Sequence, residues 1–247
     1  MNTARSALSA IGLVVEGFSA GAHPLVIRYM KGVFNLRPTQ PRYSQTWDVS
    51  TVLVYLKKLS PVRKISLKLL TYKLVMLIAL TCASRAQSLH LLDIANMKKG
   101  CDTYTLYYSG LLKQTRAGSA NPVAELKSYP PDRRLCVIFV LKEYLRRTLL
   151  LRKNYSCLFL SYIKPYKPVT KDTISRWLRA VMQKSGIDVN QFKSHSIRGA
   201  STSKALNSFV PVDKILKVAG WSSTSTFRRF YNKPIGDNDY AAAVLKL

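Results

Sequence analysis

Carboxylates are what this chain has least of for its size: 12 Asp and Glu stand against 39 Lys and Arg in 247 residues. Most stand alone, as Glu16, Asp48, Asp93, Asp102, Glu125, Asp132, Glu143, Asp172, Asp188 and Asp213 do. The only close pair, Asp237 and Asp239, falls in a polar stretch near the C-terminus and reads as a solvated turn. Glycoside hydrolysis needs paired acids, and Mg-dependent phosphoryl chemistry needs two or three carboxylates to hold the ion. Phosphate chemistry here is therefore expected to run without metal, and no cofactor is expected. Cysteine is also scarce. Cys82, Cys101, Cys136 and Cys157 form no C-x-x-C and lie near no histidine cluster, which argues against zinc and leaves buried free thiols, as in an intracellular protein. Long apolar runs are missing too. Leu74 to Ala83 is the longest and is far too short to span a bilayer, so no membrane partner is expected. Arg5, the stretch Ala7 to Val15 and Ala20-Gly21-Ala22 imitate a leader peptide, but Glu16 interrupts them and an ordinary helix is the reading.

What is present points one way. Hydrophobic residues make up 47% of the chain, enough for a buried core, so the basic excess is not that of a disordered tail. The net charge of +27 repels itself on a folded body and is tolerated most readily beside a polyanion. Nucleic acid is the default partner, with an anionic membrane surface a distant second. No small-molecule substrate is indicated.

The pattern along the chain is mostly helical. Asn2 to Leu13 and His23 to Asn35 read as short helices, too little for a domain alone, followed by a Pro/Arg/Gln-rich linker. Asp48 can cap a helix carrying Val49, Val52, Leu53 and Leu56. Leu67 to Ala83 reads as a long buried helix and Arg85 to Leu92 as a short one. Tyr104 to Tyr108, the surroundings of Leu111-Leu112, and Val123 to Leu126 are β-rich, with turn chemistry from Gly118 to Pro122. Helical pattern resumes over Arg134 to Leu151 and Thr170 to Ser185, then over Ser196 to Leu206, Val212 to Ala219 and Ser223 to Tyr231. The expected class is α+β, mostly helical with one small antiparallel sheet.

The chemistry concentrates between Ser194 and Pro234. His195 and Arg198 are three apart and share a face at a helix start, where free backbone amides are expected to join them in an anion pocket. A lone H-x-x-R usually means a surface salt bridge, but there are too few acids to pair with the bases. Gly220-Trp221 follows, and Tyr231 comes ten positions later. Alone, Trp221 would read as a core aromatic and Tyr231 as a half-buried helix residue. The hydroxyls of Ser222 to Thr226 can cap the last helix.

These residues resemble the tyrosine recombinases, the phage-integrase-like site-specific recombinases: a helix-borne H-x-x-R, then G-[HW], then a tyrosine near the chain end. The phrases HSIRGASTSKA, AGWSSTSTF and FYNKP resemble most the recombinases of eukaryotic mobile elements, of the DIRS and Crypton types. The resemblance covers roughly Thr46 to Pro234. It implies a catalytic domain over 47–247, a linker over 37–46, and in 1–36 the end of a helical core-binding domain. It also implies two upstream residues. Arg85, after an apolar helix, matches the first arginine, although the acidic residue the family carries just after it is replaced by Ala86, Gln87 and Ser88. Lys113 fits the hairpin lysine best, with Lys98, Lys99 and Lys127 as competitors.

The resemblance implies that Tyr231 attacks a phosphodiester of double-stranded DNA and forms a 3′-phosphotyrosyl link without ATP or metal. Arg85 and Arg198 would clamp the phosphate, His195 would assist the tyrosine, Lys113 would protonate the leaving oxygen, and Trp221 would donate its indole N–H or pack against the site. Lys193, Lys204, Arg228 and Arg229 flank these positions and are expected to contact DNA. Assembly on DNA as dimers pairing into tetramers, with Asp239 to Leu247 docking on a neighbour, and nuclear action follow from the same likeness. Two alternatives stay open: a nicking-closing enzyme like the type I B topoisomerases, and a relative that binds DNA without cutting it.

Overall fold

The computed structural model describes residues 2–38, 43–113, 115, 118 and 122–235; for Thr226, Arg229 and Phe230 it describes the backbone alone. The chain divides into two compact units, Met1–Arg42 and Tyr43–Leu247.

The first unit contains helix α1 (Asn2–Ala10), the antiparallel pair β1 (Val14–Val15) and β2 (Phe18–Ser19), a 3-10 turn (Ala20–Ala22), and helix α2 (Pro24–Leu36). The expected helix to Leu13 stops at Ala10 because Gly12 turns the chain at φ +75°. Glu16 and Gly17 follow at φ 50° and 80°, the two left-handed residues that a tight hairpin turn requires. The apolar run that imitates a leader is thus broken into helix and hairpin. Neither α1 nor α2 buries a residue. A polar lock supports the unit instead: the Arg5 guanidinium donates to the Gly21 carbonyl at 2.6 Å, and the Gly21 amide donates to the Ser9 hydroxyl at 2.9 Å.

The second unit is α+β, as expected. It contains α3 (Val49–Lys58), α4 (Leu67–Thr81), α5 (Ala86–His90), a sheet of β3 (Leu92–Lys99), β4 (Thr103–Tyr108) and β5 (Ala124–Lys127), then α6 (Val137–Thr148), α7 (Lys171–Lys184), α8 (Ser196–Asn207), α9 (Val212–Ala219) and α10 (Thr224–Phe230). The sheet is antiparallel in the order β3-β4-β5. Side-chain caps fix the helix starts: Asp48 accepts from the Ser50 amide, Ser66 from Leu69, Thr170 from Thr173 and Ser223 from Ser225. The unit begins inside the stretch read as linker. The Tyr43 ring packs on Phe192, and the Thr46 amide donates to the Pro234 carbonyl at 2.9 Å.

Helix α4 is the axis of the core. Every residue from Leu70 to Leu80 is buried, and the helix packs against α6, α7 and α8, as a helix apolar on all sides must. Lys73 is fully buried within it. Its ammonium donates to the Leu56 carbonyl at 2.9 Å, the Leu59 carbonyl at 2.7 Å and the Ser60 hydroxyl at 3.1 Å, closing the C-terminal end of α3. Burial draws its pKa down to about 8.

One strand expectation is corrected, and one strand was not foreseen. The surroundings of Leu111-Leu112 form no strand: the Leu112 amide donates to the Thr115 hydroxyl and its carbonyl accepts from the Thr115 amide, so a local turn takes both groups a ladder would need. Conversely, Leu92–Lys99 is a strand although its charges hide the alternation. Its register shifts between Asp93 and Lys98, and the Asp93 carboxylate accepts from the Ala95 amide at that irregularity. Of the Gly118 to Pro122 turn, residues 119–121 lie outside the described residues.

Candidate active site

Four chain segments meet around Arg198, and two of them line a cavity beside it. Helix α4 ends in a turn where Ala83 takes φ 45°, and that turn delivers Ser84 and Arg85. A short turn leads into α8, placing His195 at its N-cap and Arg198 in its first turn. Helix α9 ends on Gly220 at φ 62°, a left-handed C-cap that suits glycine, and Trp221 follows directly. Tyr231 closes α10, its amide donating to the Phe227 carbonyl. A cavity of about 180 Å³ is lined by Ser84, Arg85, Ala86, Gln87, Ser194, His195 and Arg198.

Arg198 is the structural centre. It is 3% exposed, and its terminal nitrogens donate to the main-chain carbonyls of Ala83, at 2.9 Å, and Ala219. Its guanidinium lies over two aromatic rings, 4.4 Å from the Trp221 centroid and 5.7 Å from that of Tyr231. Burial first, and the nearby charge of Arg85 second, draw its pKa down to about 10, against the opposing pull of Tyr231 and Tyr108. It stays charged at neutral pH. Its Nε is buried without a hydrogen-bond partner among the described residues. A buried N–H left unbonded is costly, and an anion oxygen is the acceptor such a group lacks.

Tyr231 is half-buried beside this group. Its hydroxyl lies 3.4 Å from the Nε2 of His195, and its ring centroid is 4.3 Å from that of Trp221. Trp221 in turn stacks on Phe227 at 5.5 Å. One chain thus gathers Arg85, His195, Arg198, Trp221 and Tyr231, from positions 85 to 231, around a single concave, positively charged point.

Other expected residues stand elsewhere. Lys113 is exposed in the connection from β4 to β5 and does not line the cavity; Lys98, Lys99 and Lys127 are exposed at strand ends of the same sheet. Lys193 and Arg228 are exposed, and the Lys193 ammonium donates to the Val189 carbonyl at 3.1 Å. Lys204 is half-buried with its ammonium 3.5 Å from the Ser50 hydroxyl. The Arg229 side chain and the segment Asp239 to Leu247 lie outside the described residues. The expectation of free amides at the start of α8 is corrected: the Ser196 and Ile197 amides donate to the Lys193 and Ser194 carbonyls of the preceding turn. The anion pocket is made by side chains.

Several participants were not foreseen. Ser84 lines the cavity, its hydroxyl donating to the Cys82 carbonyl at 3.4 Å, and burial pushes the pKa of the Tyr108 phenol up to about 12. The carbonyls of Ala83 and Ala219 fix the guanidinium. The Trp47 indole N–H donates to the Ser196 hydroxyl at 2.9 Å and anchors the start of α8 across 149 positions. No sequence motif marks main-chain acceptors or contacts of that separation. Among the described residues no three His, Cys, Asp or Glu side chains gather as metal ligands do, and no helix is long and apolar enough to cross a membrane.

A helical domain with one small antiparallel sheet, gathering two arginines, a histidine, a tryptophan and a tyrosine at one place, has the architecture of the recombinase catalytic domains. The chain belongs to the phage integrase family, whose pattern it matches over residues 62–235. Among solved structures it is similar to the XerA recombinase, at 16% identity with a TM-score of 0.57 over 99% of this chain and 80% of that one. It is similar to the XerH site-specific recombinase bound to its difH substrate before cleavage, at 15% identity with a TM-score of 0.57 over 74% of this chain and 49% of that one. A lambda integrase dimer bound to a COC′ core site matches at 15% identity with a TM-score of 0.52, over 93% of this chain and 57% of that one. At such identities the likeness speaks to the fold, and the chain spans about half the length of XerH. No curated protein sequence matches it.

Proposed function

We propose that this chain cuts and rejoins duplex DNA through a covalent link to Tyr231, as the recombination enzyme of a mobile element. The observation that carries the reading is the placement of the Tyr231 hydroxyl 3.4 Å from His195, next to a buried arginine whose Nε awaits an acceptor. The tyrosine oxygen attacks the scissile phosphorus, forming a P–O bond to tyrosine and breaking the bond to the 5′ oxygen. The phenolic proton passes to His195, and Lys113, on its exposed connection, supplies a proton to the departing oxygen. Arg85 and Arg198 hold the non-bridging oxygens, whose charge rises in the transition state; each such donor is worth about 10²–10³ in rate. The bond energy stays in the phosphotyrosyl ester, so rejoining needs no ATP. Trp221 keeps Tyr231 and Arg198 in register through its ring contacts.

The wording of the three phrases in the sequence supports a DIRS- or Crypton-type relative, and with it action in the nucleus. XerH and lambda integrase are recorded on their DNA sites, the latter as a dimer, which supports duplex DNA as partner and assembly as dimers; pairing of dimers into tetramers rests on the family likeness of the sequence. Met1–Arg42, with helices that bury nothing of their own, suits the end of a core-binding domain.

The test is covalent trapping on nicked duplex DNA that cannot religate. Wild type is expected to become attached, with or without EDTA, and Tyr231→Phe to bind DNA without attaching. Attachment by Tyr231→Phe refutes the nucleophile. Wild type that binds DNA but never attaches favours the binding-only alternative.

A further inference from the structure

Three consecutive hydroxyls stand on α8 behind Arg198: Ser201, Thr202 and Ser203. A serine or threonine inside a helix ordinarily turns its hydroxyl back onto the carbonyl three or four residues earlier. The first two do so. Ser201 donates to the Arg198 carbonyl at 3.2 Å, and Thr202 donates to the same carbonyl at 2.8 Å. Ser203 does not. Its side chain, fully buried, crosses to the segment that carries Tyr231.

There one oxygen makes two bonds. The Ser203 hydroxyl donates to the Tyr231 carbonyl at 2.8 Å and accepts from the Lys233 amide at 3.1 Å. It therefore bridges the backbone on both sides of Asn232. The need for such a bridge lies in how α10 ends. The Tyr231 and Asn232 amides both donate to the one Phe227 carbonyl, and Tyr231 leaves helical geometry at φ −125°. With the helix ended, its carbonyl has no helical amide to accept from and needs a donor from elsewhere. Gly199, one turn earlier on α8, faces the same segment: a Cβ there would stand 3.9 Å from the Tyr231 ring and carbonyl, an ordinary contact.

We propose that Ser203 is a positioning residue that fixes the backbone of Tyr231 against α8, the helix that carries Arg198 and follows His195, and so sets the distance from the tyrosine hydroxyl to the phosphate site. The proposal rests on Tyr231 being the nucleophile. Ser203 touches no reacting atom. It acts by tying the segment of the nucleophile to the helix that carries its clamp, where a displacement of about 1 Å can cost about 10²-fold in rate.

The test uses the full chain and nicked duplex DNA, with single-turnover attachment and DNA affinity measured separately. Ser203→Ala is expected to slow attachment by about ten- to a hundredfold while its affinity for DNA stays within about twofold of wild type. Ser203→Thr, which keeps the hydroxyl, is expected to recover most of the rate. Thr202→Val removes a hydroxyl of equal burial that bonds only within α8, and is expected to leave the rate unchanged. A merely structural role for Ser203 would make the two hydroxyl deletions alike. Amide hydrogen exchange supplies a readout independent of catalysis: the Lys233 amide should exchange at least about tenfold faster in Ser203→Ala, with the middle of α8 unaltered. Wild-type attachment rates in Ser203→Ala, or unchanged Lys233 exchange, overturn the proposal. If wild type itself never attaches, the nucleophile reading fails, and the exchange measurement still decides whether Ser203 holds the segment.

Discussion

Replacing Arg198 by lysine keeps the charge and removes the fork. The guanidinium donates to two carbonyls on opposite sides, Ala83 and Ala219, while its flat face lies 4.4 Å from the Trp221 ring centroid. A single ammonium on a thinner stem can serve one of those carbonyls. The other is left buried without its donor, which costs about 1–3 kcal/mol. Loss of the planar contact with Trp221 adds about 0.5–2 kcal/mol. Arg198→Lys should therefore destabilise the fold by about 2–4 kcal/mol, read as a fall in urea midpoint at unchanged slope. Covalent attachment should fall further, by about 10²-fold or more, because two-point contact with the phosphate is lost too. Arg85 is the control. It lines the same cavity but is only half-buried, so Arg85→Lys should slow attachment with a stability change under about 1 kcal/mol. Equal stability of Arg198→Lys and wild type, within about 0.5 kcal/mol, would refute the claim that Arg198 holds the α4–α5 turn and the end of α9 together.

Two further outcomes are expected. Lys113→Ala should slow attachment by about 10²–10⁴-fold, and the rate should return when the leaving 5′ oxygen of the DNA is replaced by sulfur, which departs without a proton; if only Lys98→Ala, Lys99→Ala or Lys127→Ala behaves so, the role belongs to that lysine. Lys73 has a folded pKa of about 8 against 10.5 for the ordinary side chain, so between these values the unfolded chain binds the proton that the folded chain has released. Stability relative to Lys73→Met must then rise with pH across that window, by up to about 1.4 kcal/mol per unit, and a flat or falling difference in urea midpoints sinks the assignment. The neutral amine still fits: it donates to Leu56 and Leu59 and accepts from the Ser60 hydroxyl, which can turn.

What could be read from the sequence was what local physics controls. Asp48, Thr170 and Ser223 announce helix starts because a cap acts within three residues, and the apolar run before Cys82 announces a buried helix because nothing polar interrupts it from Leu74 to Leu80. The strand at Leu92–Lys99 was hidden because its alternation is broken at a register shift, and Leu111-Leu112 misled because β-forming side chains say nothing of a turn closed by Thr115. The site divides the same way. His195, Arg198, Trp221 and Tyr231 are legible as residue types at fixed intervals. Ser203 is not, since Ser201 and Thr202 look identical to it until the fold shows which hydroxyl faces Tyr231. The carbonyls of Ala83 and Ala219 belong to every residue's backbone and carry no signature at all.

The shortage of carboxylates has a structural consequence that bears on the chemistry. Among the described residues three Lys or Arg side chains are buried in the second unit, and all three are held by main-chain carbonyls: Lys73 by Leu56 and Leu59, Arg152 by Cys157 and Leu158, Arg198 by Ala83 and Ala219. Among the described residues the ion pairs of this unit use only Asp132 and Glu143, and neither pairs with any of these three. A carbonyl dipole orients a guanidinium without cancelling its charge, whereas a carboxylate would do both. Arg198 is consequently fixed in place beside the cavity yet keeps its positive charge and a buried Nε with no partner among the described residues. A carboxylate partner would compete with the phosphate for that charge and would have to be displaced each time DNA bound. Holding the arginine by backbone leaves the site ready for an anion, and in a chain with so few acids there is little else nearby to quench it.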